Sequence, residues 1–299
     1  MSYDAWIILT GCLVGITCGM TGALLILRKM AMLADAISHT VLLGIVLAFF
    51  VTQSLNGLPM LIGAAIVGVL TAVMVQALDS SGVQSDAAIG VVFTSLFALG
   101  VVLISFVGDS VHLDVNHALM GEIAFIPWDT LMINGVSYGP TAVWMLGGVF
   151  LLNLLLILVF YKEIKISTFD SAMAISIGVP VVFIHYMLMT MVSFSTVASF
   201  DSVGAILVVA MLIVPGATAY LLTDGFGMMI ILSAAIGALS SLLGYGMSIV
   251  FDVSISGSMA VSTGILFAAA FMLSPKHGMV AKWIRRKKMQ QEQEQKASA

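Results

Sequence analysis

The sequence predicts an all-α integral membrane protein, a polytopic helical bundle of about eight to nine transmembrane helices. Three observations carry that prediction. Of 299 residues, 61% are hydrophobic and 9% are charged, against about a quarter charged in ordinary soluble domains. The mean hydropathy is +1.14. Apolar runs long enough to cross a hydrocarbon core about 30 Å thick, roughly 20 residues each, follow one another almost end to end. A strand-built barrel would alternate in polarity, and a run such as AILVVAMLIVPGATAYLL does not.

The candidate spans, in order, are 5–27, 31–52, 59–78, 87–107, 139–160, 179–199, 203–223, 226–250 and 258–274. Lysine and arginine occur in only three places: Arg28 and Lys29, Lys162 and Lys165, and the tail from Lys276 to Lys296. Nine crossings with the N-terminus outside put all three clusters in the cytoplasm, as the positive-inside rule requires. The sixth and seventh candidates are joined only by the short turn near SFDSV. One of them can therefore be a broken or re-entrant helix, which leaves eight or ten crossings open.

Within the first span Gly11, Gly15 and Gly19 recur every four residues, which gives one face of bare backbone for close helix packing. Cys12 and Cys18 fall on different parts of the same helix surface and read as small packing residues rather than a disulfide. The first residues, MSYDAWIILTG, lack the positive n-region of a signal peptide, so the first span is expected to be retained. Pro215-Gly216 interrupts the seventh span, where either a kink or a discontinuous helix fits. Residues 108–138 form an extracytoplasmic segment expected to hold a short interfacial helix. Residues 161–178, inside, have the length of one amphipathic helix. The tail is a basic juxtamembrane stretch ending in polar sequence.

Asp35 and His39, in MLADAISHTVLLG, are the sharpest chemical signal. If the second span began at Ser38 it would reach only about 22 Å, too short for the bilayer core, so the pair belongs to the membrane-embedded helix. Four residues apart, the two side chains share one face and can point at one ion. An oxygen and an imidazole donor suit a divalent manganese, zinc or iron ion; a plain Asp–His hydrogen bond in the turn is the structural alternative. His185 stands within the sixth span as either a further ligand or a packed core histidine. Asp109, His112, Asp114, His117 and Glu122 in the outer segment can gather cations at an entrance or be solvated loop residues. Asp201 and Asp252 sit at outer span ends, and the methionines of MLMTM at 187–191 do not share a helix face and read as gap-filling. No H-E-x-x-H and no P-loop motif is present, so the chain has no ATP-binding motif of its own and is not expected to be an enzyme.

Four stretches now carry a resemblance: LRKMAMLADAISHTVLLGIVLAF at 27–49, SDAAIGVVFTSLFALGVVLIS at 85–105, FDSAMAISIGVPVVFIHYMLM at 169–189 and SVGAILVVAMLIVPGATAYLL at 202–222. They resemble the permease subunits of bacterial ABC importers for manganese, zinc or iron, and the first is most similar to the manganese branch. The resemblance implies a fold similar to type II ABC importer permeases, with residues 1–275 as the transmembrane permease domain and 276–299 as a cytoplasmic tail. It implies a second permease chain, identical or related, a cytoplasmic ABC ATPase that binds the ATP, and an extracytoplasmic metal-binding protein. It implies a setting in the bacterial plasma membrane, with no prosthetic group and no nucleic-acid partner expected. It assigns Asp35 and His39 to the metal pathway and makes His185 a candidate for its wall. It makes 165–178 a coupling helix, with Phe169, Asp170, Ala172 and Gly178 docking into the ATPase. The rival from another class is a proton-coupled secondary transporter using Asp35 and His39 as a relay.

Overall fold

The computed structural model describes residues 2–53, 57–107, 123–133 and 136–274. Its helices are α1 (Tyr3–Leu27), α2 (Ala31–Thr52), α3 (Gly57–Ser80), α4 (Ser85–Val107), α5 (Thr141–Val159), α6 (Tyr161–Phe169), α7 (Ser171–Ser176), α8 (Val181–Val203), α9 (Ala205–Leu222), α10 (Phe226–Phe251) and α11 (Ile255–Leu273). Among the described residues nine of these are long and apolar enough to cross a membrane, all but the short α6 and α7. They coincide with the nine expected spans.

The most enclosed span among the described residues is α1. Its glycine stripe explains why. Gly15 lies so close to α10 that a Cβ would stand 2.4 Å from the Gly237 carbonyl oxygen, and a Cβ on Gly19 would stand 2.7 Å from that of Ser233. At the third step Gly11 faces Ser241 and Met259. On α10 the partners Ser233, Gly237 and Ser241 repeat the same spacing of four, so two antiparallel small-residue stripes mesh step for step. Two serines close the seam, Ser233 Oγ donating to the Gly19 carbonyl and Ser241 Oγ to the Gly11 carbonyl, each at 2.7 Å. In a lipid solvent, where burial of apolar surface adds little, close backbone approach and interhelical hydrogen bonds of this kind hold helices together. Cys18 is buried 3.3 Å from Ser199 Oγ, and both cysteines are free.

Around this axis the spans split into two cores. One joins α1, α2, α3, α4, α8 and α9 through residues such as Val14, Leu33, Ile37, Val41, Val67 and Val92; the other joins α1, α6, α8 and α10 through Leu24, Ile164, Ile184, Leu188 and Met229. Helix α2 is held between α3 and α4. Gly44 abuts the Ala64 backbone of α3, and Gly100 of α4 abuts Leu43. Thr40 and Thr71 share a buried hydrogen bond of 2.9 Å across α2 and α3, which fixes the rotation of α2 about its axis.

The seventh span is not discontinuous at Pro215: α9 runs through it unbroken. The break lies earlier, where α8 passes into α9 through Gly204 alone, at φ 80° and ψ 164°. That conformation is open essentially only to glycine.

The outer segment, in its described part, holds a short 3-10 helix at Ile123–Trp128 and then an antiparallel pair of strands, β1 (Thr130–Ile133) and β2 (Val136–Pro140). Residues 108–122, the rest of the segment expected to carry an interfacial helix, lie outside the described residues. One expectation needs correction: 161–178 is not one helix. Asp170 adopts an extended conformation, φ −147° and ψ 87°, and its carboxylate accepts from the Met173 backbone N–H at 2.8 Å. An aspartate that caps the next turn in this way ends one helix and starts another, so the expected coupling helix 165–178 is divided between α6 and α7.

Candidate functional site

The turn that leads into α2 is built by the chain itself. Lys29, with φ 60°, takes the left-handed position after α1, Lys29 N–H bonds the Ile26 carbonyl and Met30 N–H the Leu25 carbonyl, both at 3.0 Å. This is the paired bonding that closes a helix C-terminus, and α2 starts one residue later. Asp35 and His39 follow within its first nine residues, on one face.

His39 Nε2 stands 3.5 Å from Asp35 Oδ1, with the side chains 29% and 38% exposed. That separation is longer than a tight N–H···O bond of about 2.9 Å, so the two groups are adjacent without being locked to each other. Two donor atoms each about 2.1 Å from one ion stand roughly 3 to 3.5 Å apart, so the pair already has the spacing of neighbouring ligands. The face around them is supported from below: Ile37 and Ser38 are fully buried, and Ser38 Oγ donates to the Asp35 carbonyl at 2.7 Å.

The imidazole is oriented by two aromatic rings of α4. Phe93 lies 5.2 Å from the His39 ring, centroid to centroid, and Phe97 5.8 Å and edge-on. Phe93 and Phe97 are themselves one helical turn apart, so α4 presents a continuous aromatic wall to His39. Reading the sequence for ionisable residues passes over this wall. The signal that finds it is the phenylalanine pair at i and i+4 in a span that also carries Thr94 and Ser95.

Of the expected set, the structure brings Asp35 and His39 together and, among the described residues, no others. Among the described residues no group of three His, Cys, Asp or Glu side chains that could share a metal is formed. His185 is on α8, where its ring packs on Tyr186 at 5.4 Å and its Nε2 is buried with no hydrogen-bond partner among the described residues. The Asp201 backbone falls in the last turn of α8, and Asp252 caps α10 in the left-handed conformation, φ 51°. Asp109, His112, Asp114, His117 and Glu122 lie outside the described residues. Phe169 packs its ring on Phe226 at 6.0 Å, Ala172 is in α7, and Gly178 turns the chain toward α8 with φ 84°. Exposed apolar side chains occur on α7 and at its C-cap: Met173, Ile175 and Ile177.

The family model of the ABC 3 transport family matches residues 2–274. The chain belongs to that family. It is 61% identical to the manganese transport system membrane protein MntD of Bacillus subtilis over 292 residues, covering 98% of this chain and 99% of the relative. It is 41% identical to the zinc transport system membrane protein TroD of Treponema pallidum, covering 92% and 75%. Among solved structures, PsaBC from Streptococcus pneumoniae in complex with Fab matches with a TM-score of 0.78 at 35% identity, over 96% of each chain. This ABC 3 family chain is thus a multi-pass membrane protein whose helical architecture recurs in that complex.

Proposed function

We propose that this chain is the transmembrane permease of an ATP-driven ABC importer of divalent transition-metal ions, manganese first, in the bacterial plasma membrane. The observation that carries this reading is the Asp35–His39 pair: two ligand types at ligand spacing, on a membrane-embedded helix, on a face left partly open. Ionisable groups at that depth are costly and mark ion pathways. A metal-transport relative that shares 61% of its residues across nearly the whole chain supports the substrate class.

One chain offers two ligands among its described residues, which is half of an ordinary first shell. Two copies on a common axis would offer four, and manganese completes six with water or further oxygens. A carboxylate and a neutral imidazole hold such an ion less tightly than thiolates would hold zinc or copper, as a transport site requires. Manganese is the weakest binder of the first-row series, so selection rests largely on the extracytoplasmic protein that delivers it and on pathway shape.

The cytoplasmic ATPase docks on α6 and α7. Their end of the bundle carries Arg28, Lys29, Lys162 and Lys165, the side the positive-inside rule gives to the cytoplasm. That orientation places the N-terminus outside and the tail 276–299 inside. Phe169, Ala172 and the exposed Met173, Ile175 and Ile177 form the apolar part of the contact, and Asp170 and Gly178 fix its two ends. Closure of the ATPase dimer moves this surface and switches the pathway between outward and inward access.

The test is uptake of ⁵⁴Mn by cells or vesicles carrying this chain with its ATPase and binding protein, with zinc as competitor. ATP-dependent uptake that disappears in Asp35→Ala and His39→Ala, with the complex still assembled, is expected. Uptake driven by a proton gradient without the ATPase would overturn the reading in favour of the secondary-transporter alternative.

A further inference from the structure

Arg28 follows the last residue of α1, half-buried, and does something that a topological marker need not do. Its guanidinium reaches across to α6, Nη2 donating to Ser167 Oγ at 2.7 Å and Nε to Thr168 Oγ1 at 3.2 Å. Both hydroxyls are already committed as donors, each to the Ile164 carbonyl of its own helix, at 3.1 and 2.7 Å. A hydroxyl has one proton, so toward Arg28 both can only accept. The contact therefore needs a donor with two N–H groups in a fixed fork, which arginine has and lysine lacks. Ser167 is buried, so the contact is shielded from competing water.

Apolar contacts also hold α6. Ile164 is buried against the α1 and α8 core, and Tyr161 and Phe169 rest on Phe226 at 5.3 and 6.0 Å. Such contacts can slide. The Arg28 fork is directional, and it grips the last turn of α6, next to the Asp170 break that opens α7. On its other side Arg28 sits one residue before the left-handed Lys29 and three before the first residue of α2. From there α2 is continuous helix through Asp35 and His39.

We propose that Arg28 is a positioning residue that links α6 and α7 mechanically to the helix bearing Asp35 and His39, so that movement of the cytoplasmic surface is delivered to the metal pair. The proposal rests on the importer reading above. A rigid fork pulling on a tight helix-to-helix turn turns a shift of α6 into a shift of the start of α2, whereas an apolar contact alone would let α6 move without it.

The experiment reconstitutes the full complex with its ATPase and binding protein in liposomes and reads ATP hydrolysis and ⁵⁴Mn uptake on the same vesicles. Arg28→Ala, and separately the pair Ser167→Ala with Thr168→Val, are each expected to lower uptake per ATP about tenfold, in the range of ordinary coupling effects. Hydrolysis should stay within about twofold of wild type. Arg28→Lys should fall between, and combining Arg28→Ala with the hydroxyl variants should add nothing further, because all remove one interaction. Uptake per ATP unchanged in every variant overturns the proposal. So do hydrolysis and uptake that fall in step with loss of assembly, even in Arg28→Lys and Thr168→Val alone, since that pattern belongs to a purely structural contact. A wild-type complex that moves no metal with ATP defeats the importer reading itself, and this inference with it.

Discussion

Helices α1 and α2 are consecutive, both span the membrane, and their hydropathies are nearly the same, 1.9 and 2.0. They differ in what they do with their less apolar residues. In α1 the small residues Gly11, Gly15 and Gly19 are turned inward against α10 and α11, and Thr17 and Thr21 are buried beside them. In α2 the two ionisable residues stand on a face that the chain leaves a third open, with an aromatic wall on one side. Composition that looks interchangeable thus serves two ends. One helix is the closely packed axis of the bundle, and the other carries two ionisable groups on a partly open face, where the proposed importer would need its ligands.

The comparison breaks most severely at the axis. Gly15→Leu or Gly237→Leu drives a side chain into backbone that lies about 2 Å from the first added carbon. No folded monodisperse protein is expected, by size-exclusion chromatography of the detergent extract, and a stable folded variant would show that α1 and α10 can separate. Asp35→Ala and His39→Ala should do the opposite. Uptake should fall by about 100-fold or more, the scale on which losing a ligand exceeds the loss of its supporting groups, while the thermal melt shifts by only a few degrees, roughly a 1 kcal/mol effect. A large melting shift would mean that the pair is structural.

Smaller changes sharpen the contrast. Phe93→Ala or Phe97→Ala removes a ring contact worth about 0.5–1.5 kcal/mol, so half-saturation for metal should rise roughly two- to tenfold with maximal uptake less affected; unchanged half-saturation would detach the wall from the site. Ser233→Ala and Ser241→Ala each delete one interhelical hydrogen bond, worth about 0.6 kcal/mol in a membrane. Each should lower the melting temperature slightly and leave uptake alone. Transport loss in either would mean that the axis itself takes part in switching.

Much of this was legible in the sequence. Span positions follow from apolar length, and the Asp35–His39 pair from its depth and its spacing of four. What escaped is what depends on a partner far along the chain. The glycines of α1 announce a close contact, yet Ser233, Gly237 and Ser241 lie more than two hundred residues away and are ordinary until the antiparallel register is fixed. Arg28 reads as a topological charge because its acceptors, Ser167 and Thr168, carry no charge. The division at Asp170 is a local capping effect that competes with amphipathic length and wins. The hairpin of β1 and β2 had a signal in Asn134-Gly135, the dipeptide favoured in short hairpin turns, flanked by β-branched and aromatic residues.

Met173, Ile175 and Ile177 stand exposed on the basic end of the bundle. Outside the bilayer such side chains are a hazard to a subunit made in excess, since they are the kind of surface that quality-control proteases and aggregation both recognise. A copy made without its companions is expected to be short-lived in a pulse-chase, and a companion that covers this patch should lengthen its life. The abundance of the chain in the cell would then be set by assembly rather than by its own synthesis.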